Sequence, residues 1–270
     1  MHTIGIIGTG VMGTAIATGV HAAHPSTGIV LFDINRKTGQ ALAEEIGGTF
    51  AQSPKDVIQT VKQESGTMVL AVKPQHLEGL AREIGKDCEG LRLISIAAGR
   101  SIQTIEHLFP GSSVIRFMPN IAAKIGKSIV AVAALEGTDP DFLEEAQTVA
   151  GSLGDAVLLD ESLISAFTGL SGSGIAYVFS FIHALALGGT ENGIPYPKAL
   201  TIAVETLLGA AELVKETGAN PAELITRVTS AGGTTIKGIA ALEKGAFTSL
   251  IMDAVRCATE KAETMEKGKA

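Results

Sequence analysis

The stretch Ile4-Gly5-Ile6-Ile7-Gly8-Thr9-Gly10-Val11-Met12-Gly13 decides the fold. A strand-like apolar run ends in G-x-G-x-x-G, and the last glycine already lies inside a helix-length run at 11–22. In that context each glycine has a task. Gly8 permits the tight turn, Gly10 lets backbone N–H groups approach a pyrophosphate, and Gly13 lets the helix pack closely on the strand. The amides around Thr9, Val11 and Met12 then form a helix N-terminus, where unpaired donors and the macrodipole favour an anion. These six residues are the first candidate cofactor-binding set.

Asp33 closes the next apolar run, 20 residues beyond Gly13, where a ribose-binding carboxylate belongs. Asn35, Arg36 and Lys37 follow it. They could hold a 2′-phosphate, whereas Asp33 would repel one, so the residues argue both ways. NADPH is the expected cofactor, with NADH as the alternative. Val72-Lys73-Pro74 ends a third strand at the same edge, and proline there leaves no stray N–H beside a cofactor. Small residues Ala97, Ala98 and Gly99 end a fourth and leave room for a flat ring.

Outward from this turn, strand-like runs at 3–7, 29–33, 67–72, 91–97, 113–117 and 128–134 alternate with helical runs at 11–22, 37–46, 54–61, 77–84 and 102–108. Near-continuously apolar strands separated by helices indicate an α/β fold with a Rossmann-type doubly wound sheet. A helix at 140–153 and a strand at 156–159 close this part. From 161 the strand signal ends and six helical runs follow. The division is a dinucleotide-binding domain at 1–160 and an all-helical dimerisation and substrate domain at 161–270. The helix at 175–187 is apolar nearly all round, so it needs cover from a second subunit or from neighbouring helices. The segment 263–270 is polar and is expected to fray.

The chain has 270 residues, of which 46% are hydrophobic and 18% charged, so disorder is excluded. A net charge of -7 without a basic stripe argues against nucleic acid. No apolar run reaches the roughly 18–20 residues that span a bilayer, and residues 1–7 do not resemble an export signal, so a cytoplasmic location without membrane contact is expected. Cys88 and Cys257 form no C-x-x-C pattern, and the six histidines form no H-x-x-x-H pair, so no metal site is expected. Gly126-Lys127-Ser128 imitates the end of a phosphate loop, but position 121 is Ile121 where that loop needs glycine. Glu144 and Glu145 read as a solvated helix face, and His183 as a core residue.

Two further segments carry chemistry. Leu170-Ser171-Gly172-Ser173-Gly174 and Thr229-Ser230-Ala231-Gly232-Gly233-Thr234-Thr235 each place hydroxyls and free amides at a helix start, a receptor for a carboxylate or simply a cap. Together with Gly8–Gly13, Val72-Lys73-Pro74, Ser95–Gly99 and Arg116-Phe117-Met118-Pro119-Asn120, they make the whole chain resemble the pyrroline-5-carboxylate reductase family. That resemblance implies NAD(P)H-dependent reduction of a cyclic imine to L-proline, the last step of proline biosynthesis. It also implies a homodimer through the helical domain, with larger rings of dimers in many members. It assigns the substrate carboxylate to Ser230, Gly232, Gly233, Thr234 and Thr235, gives the Thr235 hydroxyl the catalytic contact to the ring nitrogen, and adds Asn120 to the cofactor residues. Ile175, Ala231 and Ile34 depart from the family pattern.

Two rivals remain. A β-hydroxyacid dehydrogenase of similar build needs a base, typically a lysine early in the second domain, and no lysine lies between Lys127 and Lys198. The other is a protein that binds the dinucleotide without turnover, or a reductase of a related imine.

Overall fold

The computed structural model describes residues 2–268. It forms two compact units, one of residues 2–172 with 257–268 and the other Ser173–Arg256.

The first unit is built on one sheet of eight strands: β1 (Ile4–Ile7), β2 (Ile29–Phe32), β3 (Thr49–Phe50), β4 (Thr67–Leu70), β5 (Arg92–Ser95), β6 (Ser113–Met118), β7 (Ser128–Ala133) and β8 (Gly154–Leu158). Their spatial order is β3-β2-β1-β4-β5-β6-β7-β8, so the chain reverses direction of travel between β1 and β4. All pairings are parallel except β6 with β7. Ile7 lies opposite Phe32 on one side and Leu70 on the other, which brings the carboxyl ends of β1, β2 and β4 to one edge.

Helices cover both faces, which is why the central strands are buried without alternation. On one face lie α1 (Val11–Ala23), α2 (Arg36–Glu45) and α6 (Pro140–Gly151), through Ile16, Leu42 and Phe142. On the other lie α3 (Pro54–Gln63), α4 (Leu77–Ile84), α5 (Ile102–Leu108) and α7 (Ile164–Phe167), through Val57, Leu77, Ile105 and Phe167. Local chemistry sets the starts. Ser53 and Asp56 form a reciprocal capping box at α3 with Pro54 in its first turn.

The second unit holds α8 (Gly174–Glu191), α9 (Tyr196–Thr217), α10 (Pro221–Arg227), α11 (Thr234–Lys244) and the first half of α12 (Phe247–Glu266). Its fully buried cluster consists of Ala186, Ala199 and Ala203. Phe179, Leu208, Leu250 and Met252 remain exposed.

Several expectations need correction. β3 is an additional strand, two residues long at the sheet's edge. The first of the six helical runs expected after 161 is instead a short turn, α7 and a π-helical turn at Thr168–Gly172. Rather than fraying from 263, α12 continues to Glu266, which Arg116 holds by an ion pair; Lys269 and Ala270 lie outside the described residues. Glu144 is solvated but Glu145 is buried, accepting from Thr67 Oγ1 at 2.7 Å. His183 is exposed, its Nδ1 2.9 Å from the Tyr196 hydroxyl, because α8 is poorly covered within one chain. The continuous helical stretch Glu161–Glu191 is long and apolar enough to cross a membrane by length and composition alone. Single apolar runs underestimated it because polar residues of low hydropathy cost interrupt them.

Candidate functional site

The glycine turn has the geometry its sequence requires. Gly8 sits at φ +102°, and a Cβ there would stand 2.7 Å from the Ala71 carbonyl oxygen. A Cβ on Gly13 would lie 1.8 Å from the Gly8 carbonyl oxygen, so the helix meets the turn with no room for a side chain. Gly10 is the opposite case: nothing lies within 4 Å of its missing Cβ. As N-cap of α1 it makes no side-chain cap, and no acidic residue occupies the first turn. The turn thus carries no side-chain cap beside the open space at Gly10, which fits the pyrophosphate of a dinucleotide.

Asp33 is engaged differently from the expectation of a free ribose ligand. Its Oδ2 accepts from Thr9 N at 2.6 Å and Thr9 Oγ1 at 3.1 Å, while Oδ1 accepts from Asn35 N at 2.7 Å. The carboxylate thus clamps the turn after β1 to the end of β2. Asn35 caps α2 by accepting from Thr38 N. Arg36 reaches Gln52 Oε1 at 3.0 Å, and Lys37 is exposed beside it.

A cavity of about 420 Å³ opens here, bringing together Gly8, Gly10, Asp33, Val72 and Lys73 of the expected residues. Thr9, Val11, Met12 and Gly13 belong to the turn itself, Asn35 and Arg36 to the start of α2, and Pro74 to the short turn Pro74–His76. The cavity adds Ile34, Pro54, His76 and Leu80. Pro54 follows the N-cap Ser53 shortly after β3, a signal missed because that strand was not recognised.

Ala97 and Ala98 follow β5, and Ala97 N donates to Ser95 Oγ at 3.4 Å. Neither lines the cavity, nor does Asn120, although β5 and β6 end at the same edge as β4. The Asn120 side chain accepts from Ala122 N at 3.0 Å and donates to Ser171 Oγ at 3.1 Å.

In the second unit, Ser230, Gly232, Gly233, Thr234 and Thr235 form one corner. Gly233 N donates to Ser230 O at 3.1 Å, Gly232 takes φ +71°, and a Cβ on Gly233 would come 2.3 Å from Ser230 Oγ. Gly233 is the N-cap of α11 without a side-chain cap, and Thr234 and Thr235 stand exposed in its first turn. The free amides and hydroxyls suit a carboxylate. Ala231 is exposed, and Ile175 continues α8 without a break.

The family described as pyrroline-5-carboxylate reductase dimerisation matches residues 161–265, and that described as NADP oxidoreductase coenzyme F420-dependent matches residues 3–99. The chain is 43% identical to the pyrroline-5-carboxylate reductase of Synechocystis sp. over 77% of its length and 78% of the relative. It is 37% identical to that of Methanosarcina acetivorans over 98% of both chains. Among solved structures, a pyrroline-5-carboxylate reductase from Coxiella burnetii superposes with a TM-score of 0.90 at 28% identity, covering 98% of each chain.

Proposed function

The chain belongs to the pyrroline-5-carboxylate reductase family, and on that premise we propose how its residues share the work of reducing 1-pyrroline-5-carboxylate to proline with a nicotinamide dinucleotide. The single observation that carries the reading is that the likeness runs through both units, so the glycine turn and the corner at 230–235 belong to one matched chain.

The reduced nicotinamide supplies the hydride. The turn at Gly8, Gly10 and Gly13 receives the pyrophosphate on the N-terminus of α1. We assign NADPH rather than NADH. The Asp33 carboxylate already accepts three hydrogen bonds from Thr9 and Asn35, while Arg36 and Lys37 stand exposed at the start of α2, where a 2′-phosphate meets both cations and the helix dipole. Val72, Lys73 and Pro74 flank the dinucleotide, and Ala97, Ala98 and Asn120 receive its nicotinamide end.

The corner formed by Ser230, Gly232, Gly233, Thr234 and Thr235 binds the substrate carboxylate through its uncapped amides. The Thr235 hydroxyl hydrogen-bonds the ring nitrogen, which makes the imine carbon a better hydride acceptor. An imine needs alignment and polarisation rather than a strong base, and alignment alone is worth about 7–11 kcal/mol. The homodimer forms through the helical unit.

Loss of nicotinamide absorbance on adding the imine to enzyme and NADPH tests the activity. Protection against heat unfolding by NADPH, with no oxidation, would leave a binding protein instead.

A further inference from the structure

Arg116, in β6, is fully buried at 2% exposure. It lies opposite Ser95, the last residue of β5, from which the chain enters the turn at 96–100. Its Nη1 meets Glu161 Oε1 at 3.1 Å and also pairs with Glu266 Oε1, at the end of α12. The Arg116 Nε has no partner among the described residues, so these two carboxylates supply the compensation a buried cation requires.

Each carboxylate also holds something else. Glu161 Oε1 accepts from Ile102 N at 2.6 Å, the first residue of α5, directly after the turn. Glu266 Oε2 accepts from Ser165 Oγ at 3.2 Å. Met265 packs over the turn's middle, where Gly99 takes φ +68° and a Cβ would stand 3.1 Å from Met265 Cβ. The segment between β5 and α5 is therefore held at its start by the sheet, at its middle by Met265 and at its end by Glu161. One buried guanidinium joins these supports.

We propose that Arg116, Glu161 and Glu266 form a positioning hub through which the last turn of α12 fixes the turn at 96–100 against the nicotinamide ring. The residues act through that turn and touch neither substrate nor cofactor. The inference rests on the assignment of Ala97 and Ala98 to the nicotinamide end.

The test uses the full-length enzyme and Glu266→Gln, which keeps the side chain's size and leaves the sheet intact, with Met265→Gly as a second variant that removes the Cβ facing Gly99 without altering charge. Two ligands are titrated: NADPH, and adenosine 2′,5′-bisphosphate, which lacks the nicotinamide half. In Glu266→Gln the NADPH Kd is expected to rise about 10-fold, while the bisphosphate Kd changes by less than about twofold, the scatter of an untouched site. The kcat is expected to fall roughly 10–100-fold with KM for the imine nearly constant, the scale of misplacing reacting groups by an ångström. Met265→Gly shifts the two ligands in the same unequal way, and Glu266→Asp restores part of the loss. Equal weakening of both ligands, or of neither, overturns the hub. A wild-type enzyme that binds NADPH but reduces no imine would count against the reductase activity, and the contrast between ligands would still decide the hub.

Discussion

Replacing Gly10 and Gly13 separately by alanine distinguishes a ligand-binding glycine from a packing glycine. Gly10 has φ -68° and ψ -169°, which alanine adopts freely, and its Cβ would enter empty space. Gly10→Ala should therefore keep or slightly raise the Tm, since alanine restricts the unfolded chain by about 0.4–1 kcal/mol. The same methyl would project from a residue that lines the cavity beneath the dinucleotide. Pushing the pyrophosphate off the turn would forfeit at least one hydrogen bond to a charged group, worth about 1.5–3 kcal/mol, so the NADPH Kd should rise roughly 10–150-fold. Gly13→Ala reverses the pattern. Its Cβ would meet the Gly8 carbonyl oxygen at 1.8 Å, and relief requires moving backbone at the centre of the sheet edge. The expected loss of stability is about 3 kcal/mol, at the upper end of what overpacking usually costs. Thermal unfolding and titration of nicotinamide fluorescence measure both effects. A Gly10→Ala protein with wild-type NADPH affinity, or one destabilised as much as Gly13→Ala, would refute the assignment of Gly10 to the phosphates.

Thr235→Ala should lower kcat/KM by roughly 10–1000-fold, the range for losing one positioned donor, with dinucleotide affinity nearly unchanged; full activity would remove its hydroxyl from the reaction. Asp33→Ala should weaken NADPH and NADH alike because Thr9 loses its clamp. The double change Arg36→Ala, Lys37→Ala should weaken NADPH alone by roughly 10–100-fold, and an unchanged ratio of the two affinities would place the 2′-phosphate elsewhere. Phe179→Glu, on the exposed face of α8, should give a monomer by sedimentation without activity; an active monomer would show that the substrate corner needs no partner. Burial pushes the Cys88 thiol from 9.0 up to about 12, so it should resist maleimide at pH 8 until the protein unfolds. Its contribution to stability is full below pH 9 and declines as pH rises toward 12, because the unfolded thiol ionises first. Because Cys257 is exposed and labels in the native protein, the reading is taken at Cys88 itself, and its labelling ahead of unfolding would contradict that burial.

Legibility in the sequence followed the range of the interactions. The turn at Gly8, Gly10 and Gly13 could be read because its demands are met within ten residues of chain and one neighbouring strand. β3 was missed because two residues, Thr49 and Phe50, carry no periodicity. The antiparallel direction of β7 left a trace that went unused: residues 119–127 are too few for the crossover of about a dozen that a parallel neighbour needs. Buried charges were the hardest to see. Glu145 finds Thr67 across 78 positions, and Glu266 finds Arg116 across 150, so local polarity alone assigns both to solvent. Asp33 shows the same limit at the site. Its position matched the expectation, but only the fold revealed that Thr9 and Asn35 already occupy its carboxylate.

The helical unit raises a further physical point. Its buried cluster is three alanines, while Phe179, Leu208, Leu213, Leu250 and Met252 are exposed in the single chain. Ordering each residue costs about 1–2 kcal/mol of backbone entropy, and three small side chains bury far too little apolar surface to offset that over the 84 residues from Ser173 to Arg256. Burial against the partner in the homodimer fits that deficit, and it would make folding of this unit and association one event. The corner at 230–235 belongs to this unit, and the glycine turn belongs to the unit with its own two-sided core. Dilution below the dimer's dissociation constant should therefore abolish imine reduction while the sheet unit keeps its affinity for the dinucleotide, because only the first property depends on protomer concentration.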